Sequence, residues 1–129
     1  MTEDTKLGVW GNNTYGQVAV DSKSELRIFM PKMLSFEIDI RDVSCGFQHT
    51  LFRSVEGEVF VTGDNSKFQL GIGKKIKRRI SPTAIQLDDM QEKVLLAQAQ
   101  GYHSVIYTEY GNVYTWGDNT YGQLGTGDF

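Results

Sequence analysis

The sequence predicts an all-β fold built from a repeated unit of four short strands, and three observations carry that reading. One word recurs: WGNNTYGQV at 10–18, TGDNSKFQL opening 62–73, and WGDNTYGQL opening 116–127. The first copy matches the last at seven of nine positions, and the middle copy matches it at five. The word also keeps a long period. Asn13, Asn65 and Asn119 stand 52 and 54 residues apart, which is the signature of a repeat architecture. Finally, the second and third copies each follow two short apolar runs joined by a glycine-bearing connection, the pattern of a β-hairpin.

The residue types in the word have a physical logic. Trp10 and Trp116 close apolar runs and are large enough to fill the gap between packed sheets. Gly11, Gly63 and Gly117 follow, where the chain must leave the strand direction. Asn12, Asp64 and Asp118 share the next position. An amide replaces a carboxylate there, so the required property is hydrogen-bond acceptance in a turn rather than proton transfer. Gly16 and Gly122 allow a second close turn, and Phe68 takes their place in the middle copy.

In chain order, residues 1–6 read as a polar tail and 7–10 as a short strand entering the first turn. Residues 19–30 read as a surface connection. Pro31 opens an apolar stretch in which Ile38, Ile40 and Val43 alternate with Glu37, Asp39 and Arg41, predicting one strand with one buried face. Next comes VSCGFQHTLF at 43–52, with its partner AQAQGYHSVIY at 97–107; His49 and His103 are 54 apart. Hairpin strands are predicted at about 47–53 and 58–62, turning through 54–57, and near 102–108 and 112–116, turning through 109–112. The Pro-to-His interval grows from 18 to 21 residues, predicting a longer turn near Asp88–Lys93. Each period thus holds two hairpin strands, one after the proline and one before the Cys-Gly-type turn. Four short strands per period is the pattern of a propeller blade, and one blade alone buries too little to stand without neighbours.

Composition narrows the function. The formal net charge is −3, unlike the strongly basic balance of most nucleic-acid-binding domains, so a nucleic-acid partner is not expected. The single cysteine, Cys45, excludes an internal disulfide and points to a reducing compartment, cytoplasm or nucleus. Residues 1–6 have no apolar signal-peptide core, and no apolar run approaches a membrane span.

The combined words V-x-x-W-G-x-N-x-x-G-Q-L-G-x-G and C-G-x-x-H-[ST], with G-x-V-[FY] at 57–60 and 111–114, resemble the repeat of the regulator of chromosome condensation family. The resemblance runs from about Leu7 to Gly127, so 7–129 reads as one region of such repeats. It implies a closed β-propeller, of which this chain would supply about two to two and a half four-stranded blades. The ring would then be completed by further blades of the same or another chain. The resemblance also implies two functions: a protein–protein interaction module, or a guanine nucleotide exchange regulator of a Ran-type small GTPase. Kelch repeats have a similar period but carry a Gly-Gly pair, which is absent here. Two departures stand out: Val18-Ala19-Val20-Asp21 replaces L-G-x-G, and Ala99-Gln100 replaces Cys-Gly.

Candidate chemistry is sparse. His49 and His103 recur at the repeat period, so each is expected to serve architecture by bridging backbone groups within its own blade. The same holds for Trp10, Gly11, Asn13, Gly63, Asn65, Trp116, Gly117, Asn119 and Gly122. Gly71-Ile72-Gly73-Lys74 lacks the spacing of a phosphate loop. Cys45 is expected to be a small buried filler. No catalytic residue, cofactor or metal ligand is expected. Lys74, Lys75, Lys77, Arg78 and Arg79 form the one concentrated charge feature and occur in one unit only. A solvated loop, a nuclear-import signal, and a patch for an acidic partner or nucleic acid all fit such a run; the fold does not need it, which makes it the best candidate contact for a partner.

Overall fold

The computed structural model describes residues 5–20, 26–86, 92–120, 122, 124 and 125. The turn expected near Asp88–Lys93 falls largely outside the described residues, as do 1–4 of the polar tail. The described elements are strands throughout. β1 (Thr5–Asn12) pairs with β2 (Arg27–Phe36) as a first, two-stranded sheet. β3 (Ile40–Cys45), β4 (His49–Ser54), β5 (Val59–Asp64) and β6 (Arg78–Ala84) form a second sheet in that order. β7 (Val94–Gln100), β8 (His103–Thr108) and β9 (Val113–Gly117) form a third. All neighbours are antiparallel. The second sheet is one complete four-stranded blade. By the repeat register, the first sheet corresponds to β5 and β6, and the third to β3, β4 and β5.

Strand periodicity explains how the sheets stack. Successive side chains on a strand point to opposite faces. On β4 and β5, Leu51, Val59 and Val61 point to the third sheet and pack with Leu70, Val94, Ala97, Ala99 and Ile106, all buried. Phe52 points the other way, joining Phe36 and Ala19 between the first and second sheets, with ring centroids of Phe36 and Phe52 5.2 Å apart. The central strands are therefore buried on both faces, and the two apolar layers lie between sheets.

The structure corrects several expectations. The alternating stretch 36–43 is not one strand: the chain bends at 37–39, passing from β2 in the first sheet to β3 in the second. Ile38 and Ile40 still pack on the Phe36–Phe52 cluster, but Val43, expected on the same buried face, is 45% exposed on β3. Residues 27–30, expected as connection, belong to β2, and β1 begins at Thr5 and runs to Asn12. The prolines do not precede strands. Pro31 lies inside β2 and Pro82 inside β6, the outer edge of its sheet. Both sit beside a register shift, between Val9 and Gly11 on one partner and Val61 and Gly63 on the other. A residue without an N–H is tolerated at such an irregular edge. Trp10 is 61% exposed, whereas Trp116 packs against the core between the second and third sheets. Cys45 is exposed at the end of β3 and fills no core space.

The two hairpins share a closing device. Ser54 Oγ accepts from Glu58 N at 2.9 Å, and Thr108 Oγ1 accepts from Asn112 N at 3.2 Å. Both hydroxyl residues are fully buried.

Two non-glycine residues occupy positions that glycine takes elsewhere in the repeat. Phe68 (φ 62°) stands where Gly16 (80°) and Gly122 (73°) stand, and Ala19 (60°) where Gly71 (69°) and Gly125 (68°) stand. A Cβ in this left-handed region costs about 1 kcal/mol. Phe68→Gly is therefore expected to raise the unfolding free energy measured in urea, by up to about 0.5 kcal/mol after the extra freedom of glycine in the unfolded chain is subtracted. A lower value would mean that the contacts of the phenyl ring outweigh the backbone strain.

Candidate functional site

Each turn word is a small hydrogen-bonded device. Asn12, Asp64 and Asp118 accept from the backbone N–H two residues on, at 2.8, 3.2 and 3.1 Å. Hydroxyls of Thr14, Ser66 and Thr120 reach the same carboxylate or amide groups. The bonds from the Thr120 hydroxyl and N–H hold the Asp118 carboxyl below its ordinary pKa. Asn13, Asn65 and Asn119 then accept from the N–H five residues on: Val18, Leu70 and Leu124. Gln17 and Gln69 turn their side-chain oxygens back onto the N–H of Tyr15 and Lys67.

The glycine of the turn word is tied to the histidine word. Gly63 pairs with His49, and Gly117 with His103, in the β4–β5 and β8–β9 ladders. At Gly63 (φ 116°) a Cβ would lie 2.7 Å from His49 Cα. The two words therefore occur together because each glycine makes room for the backbone of its histidine.

Sheet joins sheet through the carbonyl of the glutamine. Thr50 Oγ1 donates to Gln17 O at 2.7 Å, and Ser104 Oγ donates to Gln69 O at 2.8 Å. Thr50 and Ser104 are the residues after the two histidines. Trp116 Nε1 donates to the same Gln69 carbonyl at 2.8 Å. Thr62, which replaces tryptophan in the middle copy, places its hydroxyl 2.8 Å from Gly16 O. Each sheet thus holds the turn word of the preceding unit. Sequence reasoning singled out neither the glutamines nor the hydroxyls; the [ST] after each histidine was the available signal.

His49 does not bridge its own blade. Its Nε2 lies 2.9 Å from Ser104 Oγ on the neighbouring sheet. The Ser104 proton goes to Gln69 O, so Nε2 carries the imidazole hydrogen. Nδ1 is buried without a hydrogen-bond partner, facing Gly46. Burial lowers the pKa to about 4; the like charge of His103 adds to this, while the His103 backbone and Asp64 oppose it. His49 begins β4 of the second sheet and His103 begins β8 of the third. Among the described residues, no three His, Cys, Asp or Glu side chains form a metal-binding group.

The basic residues take a different place. Lys74, Lys75 and Lys77 stand exposed on the connection from the second turn word to β6. Arg78 and Arg79 belong to β6 itself, opposite Asp64 and Gly63; Arg78 is exposed and Arg79 half-buried. The connection is held at its root by one side chain: Asn65 Nδ2 donates to Gly73 O at 2.9 Å and Ile76 O at 2.7 Å. Asn65 N also donates to Lys77 O at 2.8 Å. Beside it runs a groove of about 560 Å³ between the first and second turn words, lined among others by Tyr15, Phe68, Lys74, Ile76, Lys77 and Arg78. No helix of the described residues is long and apolar enough to cross a membrane.

Comparison with known proteins follows this geometry. Models of the regulator of chromosome condensation (RCC1) repeat match residues 9–53 and 56–107, and a second such model matches 40–69 and 101–123. The X-linked retinitis pigmentosa GTPase regulator of Homo sapiens is 33% identical over 126 residues, covering 97% of this chain and 12% of that protein. The ultraviolet-B receptor UVR8 of Arabidopsis thaliana is 34% identical over 120 residues, 92% of this chain and 27% of that one. The crystal structure of Prp20p from Saccharomyces cerevisiae, described with its binding to Gsp1p and histones, superposes with a TM-score of 0.84 at 28% identity. That match covers 96% of this chain and 32% of Prp20p, so this chain spans about a third or less of each protein it resembles here.

Two outcomes are expected from the inter-sheet contacts. Ser104→Ala leaves the His49 N–H buried without an acceptor and should cost about 1–3 kcal/mol of unfolding free energy; Ser104→Thr, the residue found at position 50, should cost much less. The second outcome concerns pH. The folded pKa of His49 lies below the unfolded value of 6.5, so the unfolded chain binds more protons between the two. The contribution of the neutral ring is full above pH 6.5 and is lost as pH falls toward about 4. Unfolding free energies from urea titrations should drop across that window, by about 3 kcal/mol at most, and His49→Gln should flatten the difference.

Proposed function

The chain belongs to the regulator of chromosome condensation repeat family, and from that premise we propose that it is a non-enzymatic interaction module whose blades present loops to a protein partner. One observation carries the reading. The side chains that recur with the repeat are spent on joining turn to turn and sheet to sheet, as His49, Asn65, Ser104 and Trp116 are. The charged segment Lys74–Arg79 does not recur, is largely exposed, and is held on a fixed backbone. A fold shared by a GTPase regulator, a light receptor and Prp20p does not choose a function, so the site must. Further blades of the same or another chain complete the ring in this reading. A cytoplasmic or nuclear setting fits the single unpaired cysteine.

A second reading, guanine nucleotide exchange on a Ran-type small GTPase, is favoured by the likeness to Prp20p, whose binding to Gsp1p is on record with its structure. The matching positions are those that build the blades, and they supply no exchange residues.

Two measurements decide between these. Nucleotide release from purified small GTPases should not accelerate when the chain is added; acceleration over the intrinsic rate would install the exchange reading instead. Partner capture by the chain should fall by about tenfold or more when Lys74, Lys75 and Lys77 are changed to Glu. Capture unaffected by that reversal would remove the loop as the contact.

A further inference from the structure

We infer that the groove between the first two turn words takes an acidic linear peptide bearing one aromatic or large aliphatic side chain; this deepens the interaction-module reading and rests on it. The groove has two chemistries side by side. Its apolar part is Tyr15, Phe68 and Ile76, with Phe68 46% exposed. Its charged part is Lys74, Lys77 and Arg78, with Lys75 beside them on the exposed connection. Among the described residues, no carboxylate forms an ion pair with these four cations. Such a concentration of unpaired positive charge on a chain of net charge −3 is a local field that attracts carboxylates.

The repeat itself shows that the charge is not structural. The corresponding stretch of the first unit, 22–27, reads SKSELR, against KKIKRR at 74–79. The site is also rigid before it binds. The backbone carbonyls of Gly73, Ile76 and Lys77 all accept from Asn65, which is buried. The lysines are therefore displayed from a fixed curve, and binding orders side chains without ordering a loop.

Peptide is favoured over nucleic acid by the extent of the charge. The cations cluster on one short segment, enough for one or two phosphates but not for a backbone track.

The test is fluorescence anisotropy on the full chain with a labelled Asp/Glu peptide containing one central Phe. Saturable binding is expected, weakening about tenfold in Lys74→Glu/Lys77→Glu and severalfold when the peptide Phe is changed to Ser. Phe68→Gly should also weaken binding severalfold; because this change is expected to stabilise the fold, weaker binding there is not unfolding. Circular dichroism of each variant checks that the sheets are intact. Absence of saturable binding, an unchanged affinity after charge reversal, or tighter binding of a single-stranded oligonucleotide of matched length would each overturn the proposal. Partner capture that still depends on the lysines while the peptide fails would overturn the peptide chemistry alone and leave the interaction module standing.

Discussion

The architecture depends on one hydrogen bond made twice: a hydroxyl beside the histidine of one sheet donates to the glutamine carbonyl in the turn word of the preceding unit. Sheets that stack by apolar contact alone can slide, since burial is not directional. A buried donor aimed at one carbonyl fixes where each sheet sits on its neighbour, because any shift leaves both groups unpaired at a cost of about 1–3 kcal/mol. The turn word must therefore hold its carbonyl still. Its internal bonds, from Asn to the fifth residue on and from Gln back to the second before, serve that end.

This constraint also explains which positions vary. Thr62 replaces a tryptophan, with far less volume, yet its hydroxyl reaches Gly16 O on the preceding turn word as Trp116 Nε1 reaches Gln69 O. What the two positions share is a polar donor beside a carbonyl of the preceding turn word, although the Thr62 hydroxyl lies equally close, at 2.8 Å, to Arg79 O of its own blade. Phe68 and Ala19 show the same priority on the other side. They keep the left-handed backbone that the turn requires although their side chains disfavour it.

Much of the fold was legible because the repeat reports itself. The hairpins around 54–57 and 109–112 fall within two residues of their expected places, since glycine and short polar residues mark turns locally. What was missed depends on geometry between units. Nothing within the 36–43 alternation distinguishes one long strand from two strands meeting at a corner, because period two reports burial and is blind to which sheet a residue joins. Trp116 packs against the core while Trp10 stands exposed, although the two hold the same place in their local words. The partner of His49 is 55 residues away, so its role was open to an intra-blade reading that distance in the sequence could not exclude.

The same reasoning separates construction from recognition. A residue that returns at every period answers a demand made in every unit, and that demand is packing against a neighbour. A residue that appears once answers a demand made once. In this chain His49, Trp116 and the recurring asparagines resolve into contacts within turns and between sheets, and the exposed lysines do not. Asn65 joins the two categories: the side chain that closes the turn word also holds Gly73 and Ile76, and so fixes the backbone from which the lysines project. The architecture thereby supplies a rigid base for a charged segment it does not itself require, which is how a common blade acquires a particular surface.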